Sequence, residues 1–453
     1  MAGRAITAAR AYPGRARSVG SRREAQRVLV VRSVFFIFAL SLLEGAFRKW
    51  IFPSLATPLT LLRDPFVLAL YTYCVVNSFI RLRGLAQLWI GFAILTVLLG
   101  LGQYLINGYG LVGWMLGVRT YWLYMPLAFV VAETFRMEDV RKFILLNLLI
   151  SIPYALLVSV QYSAPPSAFV NLGVGEDEGG AVGLKDNIIR PFGLFTYTGP
   201  NVQYTAALVA LFMAFYIDRT SSRWRVLLLA LSGVAVASMA VLTGSRSIYF
   251  MIAAIMLVTI AGLSTSRAAL KAFSRILGVL GFAVLAGLLL VNVFPDMLDA
   301  MAKRLEAAER SEGSIWDRAI GGLFAWVEPL FTAPIFGEGI GLGAPGVASL
   351  LGVPPLSFGE SDLQRNVNEL GLLFGIAMLA LRFATAASVL FIAFRLVRKG
   401  REMALPLVGY YVLPFALGQV THSPVNAFLP WLFLGLVLAL HRDTPRRGYH
   451  ARA

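Results

Sequence analysis

Cysteine and histidine are almost absent from this chain. Its 453 residues include one cysteine, Cys74, and three histidines. A single cysteine excludes an intrachain disulfide bond, and it also excludes a metal site built from several thiolates. Charge is scarce as well, since charged residues make up 14% of the chain and hydrophobic residues 58%. Soluble globular domains are about 25% charged, so this composition indicates a membrane protein.

Apolar segments of about 20 residues recur along the whole chain, which is the length that a helix needs to cross a bilayer. Because lipid offers the backbone no hydrogen-bond partner, we expect each segment to be a helix. The predicted fold class is therefore all-α, a polytopic integral membrane protein. We place about twelve spans near residues 29–47, 62–80, 85–105, 112–133, 143–162, 199–217, 226–243, 248–264, 276–294, 368–394, 403–420 and 427–441.

The distribution of Lys and Arg predicts the orientation of these spans. If the N-terminus is cytoplasmic, every short loop on the cytoplasmic side is basic, as the positive-inside rule requires. One span more or fewer would place half of these loops on the other side. We therefore expect both termini in the cytoplasm and the loops 164–198 and 295–367 outside. The net charge of +16 follows largely from this topology and does not indicate nucleic-acid binding.

The predicted organisation has five parts. They are a basic cytoplasmic tail 1–28, nine spans with an outer loop 164–198 in 29–294, a large outer loop 295–367, three spans in 368–441 and a basic cytoplasmic tail 442–453. An Arg-rich, acid-poor start is also typical of organellar transit peptides. The run that follows lacks a small-residue cleavage site, which favours an uncleaved first span.

Several basic residues lie on the predicted outer side or inside spans, where the orientation rule disfavours them. A charge buried in a membrane is costly, so such residues usually serve a function. The alternative is a side chain that extends its charged group to the lipid headgroups. These residues are Arg48, Lys49, Arg63, Arg119, Lys185, Arg190, Arg246, Lys303, Arg304, Arg310, Arg318, Arg365 and Arg382.

Three of these arginines occupy unusual positions. Arg246 lies in a hairpin between two spans that is too tight to carry anything else. Arg190 begins a segment in which Pro191 and Gly193 exclude a regular helix. Arg119 lies about two turns inside the fourth span. Because a guanidinium binds phosphate through two parallel hydrogen bonds and stays charged, arginines at similar outer depth indicate an anion site.

Short motifs in a particular order carry a resemblance to a known family. They are Glu44-Gly-Ala-Phe-Arg-Lys-Trp50, Gly117-Val-Arg-Thr-Tyr-Trp122, Arg190-Pro-Phe-Gly-Leu-Phe195, Thr243-Gly-Ser-Arg246, Trp316-Asp-Arg318 and Pro334-Ile-Phe-Gly-Glu-Gly-Ile-Gly341. Together with the topology, they resemble the O-antigen ligase and O-antigen polymerase (Wzy-like) superfamily over residues 40–440. The first two motifs are similar to a subgroup associated with bacterial exopolysaccharide synthesis.

This resemblance implies a metal-independent glycosyltransferase with a GT-C-like fold in the bacterial inner membrane. Its partners would be an undecaprenyl-pyrophosphate-linked oligosaccharide donor, the growing glycan chain, the lipid bilayer and other polysaccharide assembly proteins. No cofactor is implied. By the same resemblance Arg190 and Arg246 would hold the pyrophosphate, and we add Arg119 and Arg318 as candidates. The predicted outer loops contain no Asp-x-Asp pair, which argues against a metal-bound nucleotide-sugar site.

One departure from the family concerns the general base. The ligases carry a histidine near the end of the large loop, and this loop has none. The departure favours a polymerase-like member over a lipopolysaccharide ligase. An acceptor hydroxyl still needs a group to take its proton, and the candidates are Glu360, Asp362, Glu369 and His422. We favour Glu369, at the membrane boundary, or Glu360; the alternative for each is a carboxylate with a structural partner.

Other functions remain open from the sequence. A precursor flippase or another secondary transporter would also have about twelve spans with arginines in a central cavity, but we find no internal repeat. A peptidoglycan polymerase of the shape, elongation, division and sporulation type shares the large outer loop, but its typical motifs are absent from this sequence. The Gly-rich segment Gly337–Gly343 follows no predicted strand, so we predict a turn or a substrate-approach loop there and not a dinucleotide site.

Overall fold

The computed structural model describes residues 13–174, 183–185, 188–218, 223–265, 273–274, 276–278, 281, 321, 324–352, 359 and 361–443. The α-helices are, in chain order, α1 (Pro13–Ala46), α2 (Asp64–Val76), α3 (Leu85–Ile106), α4 (Gly110–Trp122), α5 (Met125–Thr134), α6 (Met137–Ser163), α7 (Thr198–Ile217), α8 (Arg223–Leu242), α9 (Arg246–Ser264), α10 (Pro329–Thr332), α11 (Pro345–Leu351), α12 (Asp362–Val397), α13 (Ala404–Ala416) and α14 (Pro424–Arg442). Short helical turns occupy Phe47–Ile51, Pro53–Leu55, Pro58–Leu61 and Phe169–Asn171. A small antiparallel hairpin pairs β1 (Gly183–Lys185) with β2 (Ile188–Ile189).

Ten helical segments of the described chain are long and apolar enough to cross a membrane. They are Arg22–Ile51, Pro58–Val76, Leu85–Ile106, Gly110–Thr134, Met137–Ser163, Thr198–Ile217, Arg223–Leu242, Arg246–Ser264, Asp362–Val397 and Pro424–Arg442. The predicted span 403–420 corresponds to the shorter apolar helix α13, and the predicted span 276–294 lies almost wholly outside the described residues. The all-α polytopic membrane class is thus confirmed, while the count of twelve stays a prediction.

The helices pack around a buried centre made by α7, α13 and α14. Small residues allow close approach, since a Cβ added to Gly435 of α14 would lie 2.7 Å from the Ala128 carbonyl oxygen of α5. A Cβ on Gly409 of α13 would lie 2.7 Å from the Ile255 Cα of α9. Because lipid tails are as apolar as leucine, such close packing replaces the hydrophobic effect as the cause of helix association.

Charged pairs lie at one end of the helix bundle. At one end Arg27 donates to Asp139 over 2.6 Å, and Arg136 pairs with Glu24 over 2.6 Å. We call this end, where α1 and α6 begin, the tail end. The opposite end, where α1 finishes and α7, α12 and α14 begin, we call the site end.

Helix α9 begins at the site end and runs to the tail end. It is antiparallel to α13, because Gly262 contacts Leu405 near the start of α13 while Ile255 contacts Gly409 one turn further along. Since α12 begins again at the site end, the chain between Thr265 and Ser361 passes from one end of the bundle to the other.

Two predicted spans are interrupted where the backbone must turn. The fourth is two helices, α4 and α5, with Pro126 in the first turn of α5. Proline has no N–H to continue the ladder, and the Tyr71 hydroxyl donates to the Leu123 carbonyl beside the break over 2.7 Å. Helix α12 is broken at Gly371, whose φ of 81° is non-helical. This second break builds part of the site.

Candidate functional site

The Gly-rich segment Gly337–Gly343 packs against the break in α12, backbone to backbone. The broken helix frees two carbonyls, and these accept from the segment: Glu338 N–H donates to Asn368 O (3.0 Å) and Gly339 N–H donates to Glu369 O (3.2 Å). A Cβ on Gly337 would lie 2.3 Å from the Gly371 nitrogen. Only glycine fits at such a contact, so the prediction of a turn here is confirmed.

Helix α3 holds the same segment from the other side. The Gln103 side-chain amide donates to Phe336 O (2.5 Å) and to Glu369 O (2.8 Å), and its oxygen accepts from Ile340 N–H (3.0 Å). The Tyr104 hydroxyl donates to Ile340 O over 3.0 Å. These bonds satisfy backbone groups that would otherwise be buried without partners, and they give the segment one defined position.

Glu369 lies under this segment, and hydrogen bonds occupy both of its carboxylate oxygens. One oxygen accepts from the Tyr121 hydroxyl (2.5 Å) and from Gly341 N–H (2.9 Å), while the other accepts from Gly343 N–H (2.7 Å). The residue is only 2% exposed. These contacts are those of a structural anchor. The hypothesis that Glu369 is the general base stays a prediction, and the anchor is the alternative that the contacts favour.

A second cluster joins the start of α12 to the loop between α13 and α14. Asp362 contacts Arg365 through one oxygen, and its other oxygen accepts from Thr421 N–H (2.7 Å) and lies 3.4 Å from the Arg382 guanidinium. Arg382 also donates to the carbonyls of Phe415 (2.8 Å) and Gly418 (2.7 Å), at the end of α13. A buried carboxylate between two arginines leaves a net positive charge in this cluster.

His422 lies beside this cluster and is half-buried. A guanidinium nitrogen of Arg365 contacts its Nδ1 atom. Burial lowers the pKa of His422 to about 4, with the positive charge of Arg365 acting in the same direction. The imidazole is therefore neutral at physiological pH.

Lys49 and Gln161 hold the segment that carries Arg190. Lys49 Nζ donates to the carbonyls of Gly193 (2.9 Å) and Phe195 (2.7 Å). Gly193 N–H donates to the Gln161 side-chain oxygen over 2.7 Å. Gly193 has a φ of 60°, and a Cβ there would lie 2.0 Å from the Tyr154 hydroxyl oxygen. The turn after Arg190 is thus built for glycine and fixed by the helical turn Phe47–Ile51 and by helix α6.

Arg190 and Arg246 both lie at the site end, and the charge of Arg246 acts on Arg190. Burial lowers the pKa of Arg190, and the positive charge of Arg246 lowers it further. The Arg190 Nε atom is buried and has no hydrogen-bond partner among the described residues. Arg246 begins α9 at the same end of the bundle. Two positive charges from separate elements therefore lie at the site end, where an anion near Arg190 would favour its charged form.

Arg119 has different surroundings. Its guanidinium pairs with Asp64 and donates to Thr60 O over 2.6 Å. The neighbouring Arg63 pairs with Glu44 over 2.5 Å. A carboxylate already neutralises Arg119, so this arginine offers an anion little net charge. The structure thus places Arg119 in a carboxylate-paired network at the site end, and the described residues show no contact between Arg119 and Arg190.

Two further candidates, Glu360 and Arg318, lie outside the described residues. Their predicted roles stay predictions. Two site residues, Tyr121 and Gln103, carry no signal in the sequence. Both look like ordinary residues of a membrane span. Arg365 is recognisable in the sequence only as a basic residue where the positive-inside rule disfavours one.

Among the residues that the structure describes, no group of three His, Cys, Asp or Glu side chains is placed to hold a metal ion. No protein-family model matches the chain, and no curated protein sequence matches it either.

Proposed function

We propose that the chain is a membrane-embedded glycosyltransferase that polymerises or ligates glycan repeat units at the periplasmic face of the bacterial inner membrane. The donor would be an oligosaccharide linked to undecaprenyl pyrophosphate, in synthesis of the exopolysaccharide or O-antigen type. The observation that carries the proposal is that Arg190 and Arg246 both lie at the site end, near enough for the charge of Arg246 to lower the pKa of Arg190. The order of the sequence motifs supports the same conclusion.

The electrostatics of this pair favour an anionic ligand. Burial and the positive charge of Arg246 both disfavour the charged form of half-buried Arg190. A pyrophosphate between the two arginines would reverse the sign of that interaction. It would also supply an acceptor for the Arg190 Nε–H, which no described residue accepts. The rigid turn at Gly193 would keep the donor groups in place before the ligand binds.

The transfer step follows from this placement. An acceptor hydroxyl oxygen forms a bond with the anomeric carbon of the donor sugar, and the bond from that carbon to the pyrophosphate oxygen breaks. The electron pair leaves with that oxygen, and the hydroxyl proton passes to a base or to the departing pyrophosphate. Negative charge therefore grows on the oxygen that Arg190 and Arg246 face in this proposal.

Arginine donors aimed at that oxygen would stabilise the transition state. Loss of one such preorganised donor costs about 2.7–4 kcal/mol, or roughly 10²–10³ in rate. Arg→Ala at either position should reduce transfer by that factor and leave the protein folded. Arg→Lys should restore little, because an ammonium keeps the charge and loses the bidentate geometry. Arg83, which is exposed at the tail end, provides the matched control, and Arg83→Ala should transfer like wild type.

The test uses purified protein in detergent with the lipid-linked repeat unit from the same bacterium. In detergent there is no membrane to cross, so a longer glycan forms only if the protein joins sugars. Elongation that disappears in Arg190→Ala and Arg246→Ala supports the proposal. If the protein elongates no glycan in detergent but moves the same lipid across the membrane of proteoliposomes, the transporter hypothesis would replace the glycosyltransferase proposal. Wild-type elongation by Arg246→Lys would refute the pyrophosphate role of that residue.

A further inference from the structure

The contact between Arg365 and His422 determines which histidine nitrogen carries a proton. A guanidinium group has five N–H donors and no acceptor. The His422 Nδ1 atom that it contacts must therefore be the unprotonated nitrogen, which accepts. In a neutral imidazole the proton then lies on Nε2. An Nε2–H group can donate a hydrogen bond but cannot take a proton from a hydroxyl.

Arg365 is held so that it keeps this contact. Asp362 pairs with it one helical turn away, and Asp362 is 0% exposed while Arg365 is 3% exposed. Asp362 is fixed in turn by Thr421, whose N–H and hydroxyl lie 2.7 and 2.9 Å from the same oxygen. Thr421 directly precedes His422. The histidine and the arginine are therefore both positioned by one buried carboxylate.

His422 is half-buried, and no described residue bonds its Nε2 atom. The loop that carries His422 also joins the Arg190 segment, because the Tyr197 hydroxyl lies 2.9 Å from the Ser423 hydroxyl. The positive charges of Arg63 and Arg365 both act on half-buried Tyr197. The loop that carries His422 thus contacts the segment that begins at Arg190.

We propose that Arg365 fixes His422 as a neutral imidazole with its proton on Nε2, and that this Nε2–H donates to an oxygen of the anionic ligand that Arg190 and Arg246 bind. The second half rests on the proposed function. His422 is then a hydrogen-bond donor to the ligand and not the general base. Arg365 is a positioning residue, and Asp362 holds it. No proton is transferred by the ring.

The first test is nitrogen-15 NMR of the imidazole ring in the wild-type site. Exposed His441 and His450, which lies outside the described residues, are replaced by glutamine, so the chain retains His422 alone. At pH 7 we expect a protonated Nε2 and an unprotonated Nδ1. Arg365→Lys, which still offers only donors, should leave this pattern unchanged. A proton on Nδ1, or a doubly protonated ring at pH 7, would overturn the inference whatever the protein catalyses.

The second test adds farnesyl pyrophosphate, a short water-soluble prenyl pyrophosphate, to the same sample. Binding should shift the Nε2–H signal, and Arg190→Ala should weaken that binding. A probe that binds and depends on Arg190 but leaves the Nε2 signal unmoved overturns the donor role alone. A probe that does not bind to wild type overturns the proposed anion site, and the donor role with it, while the tautomer result stands.

The third test compares two amide substitutions in the transfer assay. The glutamine amide nitrogen reaches the place of Nε2 and can donate there, whereas asparagine reaches only the place of Nδ1. His422→Gln should keep transfer within about tenfold of wild type, because one neutral donor replaces another. His422→Asn should lose roughly 10²–10³, the usual effect of removing one such donor. Equal loss in both variants would point to a base and refute the donor role.

Discussion

Replacing Glu369 with glutamine separates the structural role of this residue from a catalytic one. The carboxylate accepts three hydrogen bonds: from Tyr121 and Gly341 at one oxygen and from Gly343 at the other. A glutamine retains one acceptor oxygen. In its better orientation that oxygen keeps the bonds to Tyr121 and Gly341, and the NH₂ group then faces Gly343 N–H.

Two donors facing each other leave one buried N–H unsatisfied, at a cost of about 1–3 kcal/mol. We therefore expect Glu369→Gln to lower the free energy of unfolding by that amount. The matched control is Glu338→Gln on the same turn, because Glu338 is exposed. A surface substitution of that kind changes stability by no more than about 0.5 kcal/mol.

The assay is thermal unfolding of the purified variants in detergent, followed by intrinsic fluorescence, together with glycan transfer below the melting temperature. If Glu369 is an anchor, Glu369→Gln melts at a lower temperature than both wild type and Glu338→Gln, and the folded fraction retains transfer. If Glu369 is the base, the Glu369→Gln protein melts at the same temperature as wild type and transfers no glycan. That second outcome would refute the structural role.

Three further outcomes follow from the structure and the topology. Gly193→Ala should weaken farnesyl pyrophosphate binding, because its φ is 60° and the new Cβ would lie 2.0 Å from the Tyr154 hydroxyl oxygen; unchanged affinity would contradict this. Burial lowers the pKa of His422 from 6.5 to about 4, so the unfolded chain gains this proton first on acidification. The melting temperature of wild type should thus fall more steeply between these pH values than that of His422→Gln. In a Cys74→Ser background, Ser314→Cys should react with an impermeant thiol reagent in intact cells; labelling only after lysis would reverse the orientation.

The sequence alone determined the fold class and the order of most helices. Runs of about 20 apolar residues can satisfy their backbone groups in lipid only as helices. All ten long apolar helices of the described chain lie where the hydropathy predicted them. The turn at Gly337–Gly343 was also predictable, since local backbone chemistry decides it. Arg190 and Arg246 were noticed because charges in those places are costly without a purpose.

The tertiary structure alone decided which charged and polar groups meet. Arg119 pairs with Asp64, 55 positions earlier, and Arg365 contacts His422, 57 positions later. Glu369 is held by Tyr121 at a separation of 248 residues. Hydropathy indicates only whether a segment prefers lipid. It carries no information about which helices pack against each other. The contacts depend on how the helices pack and where α12 breaks, so an isolated arginine in the sequence does not reveal whether its partner is a carboxylate, an imidazole or a ligand.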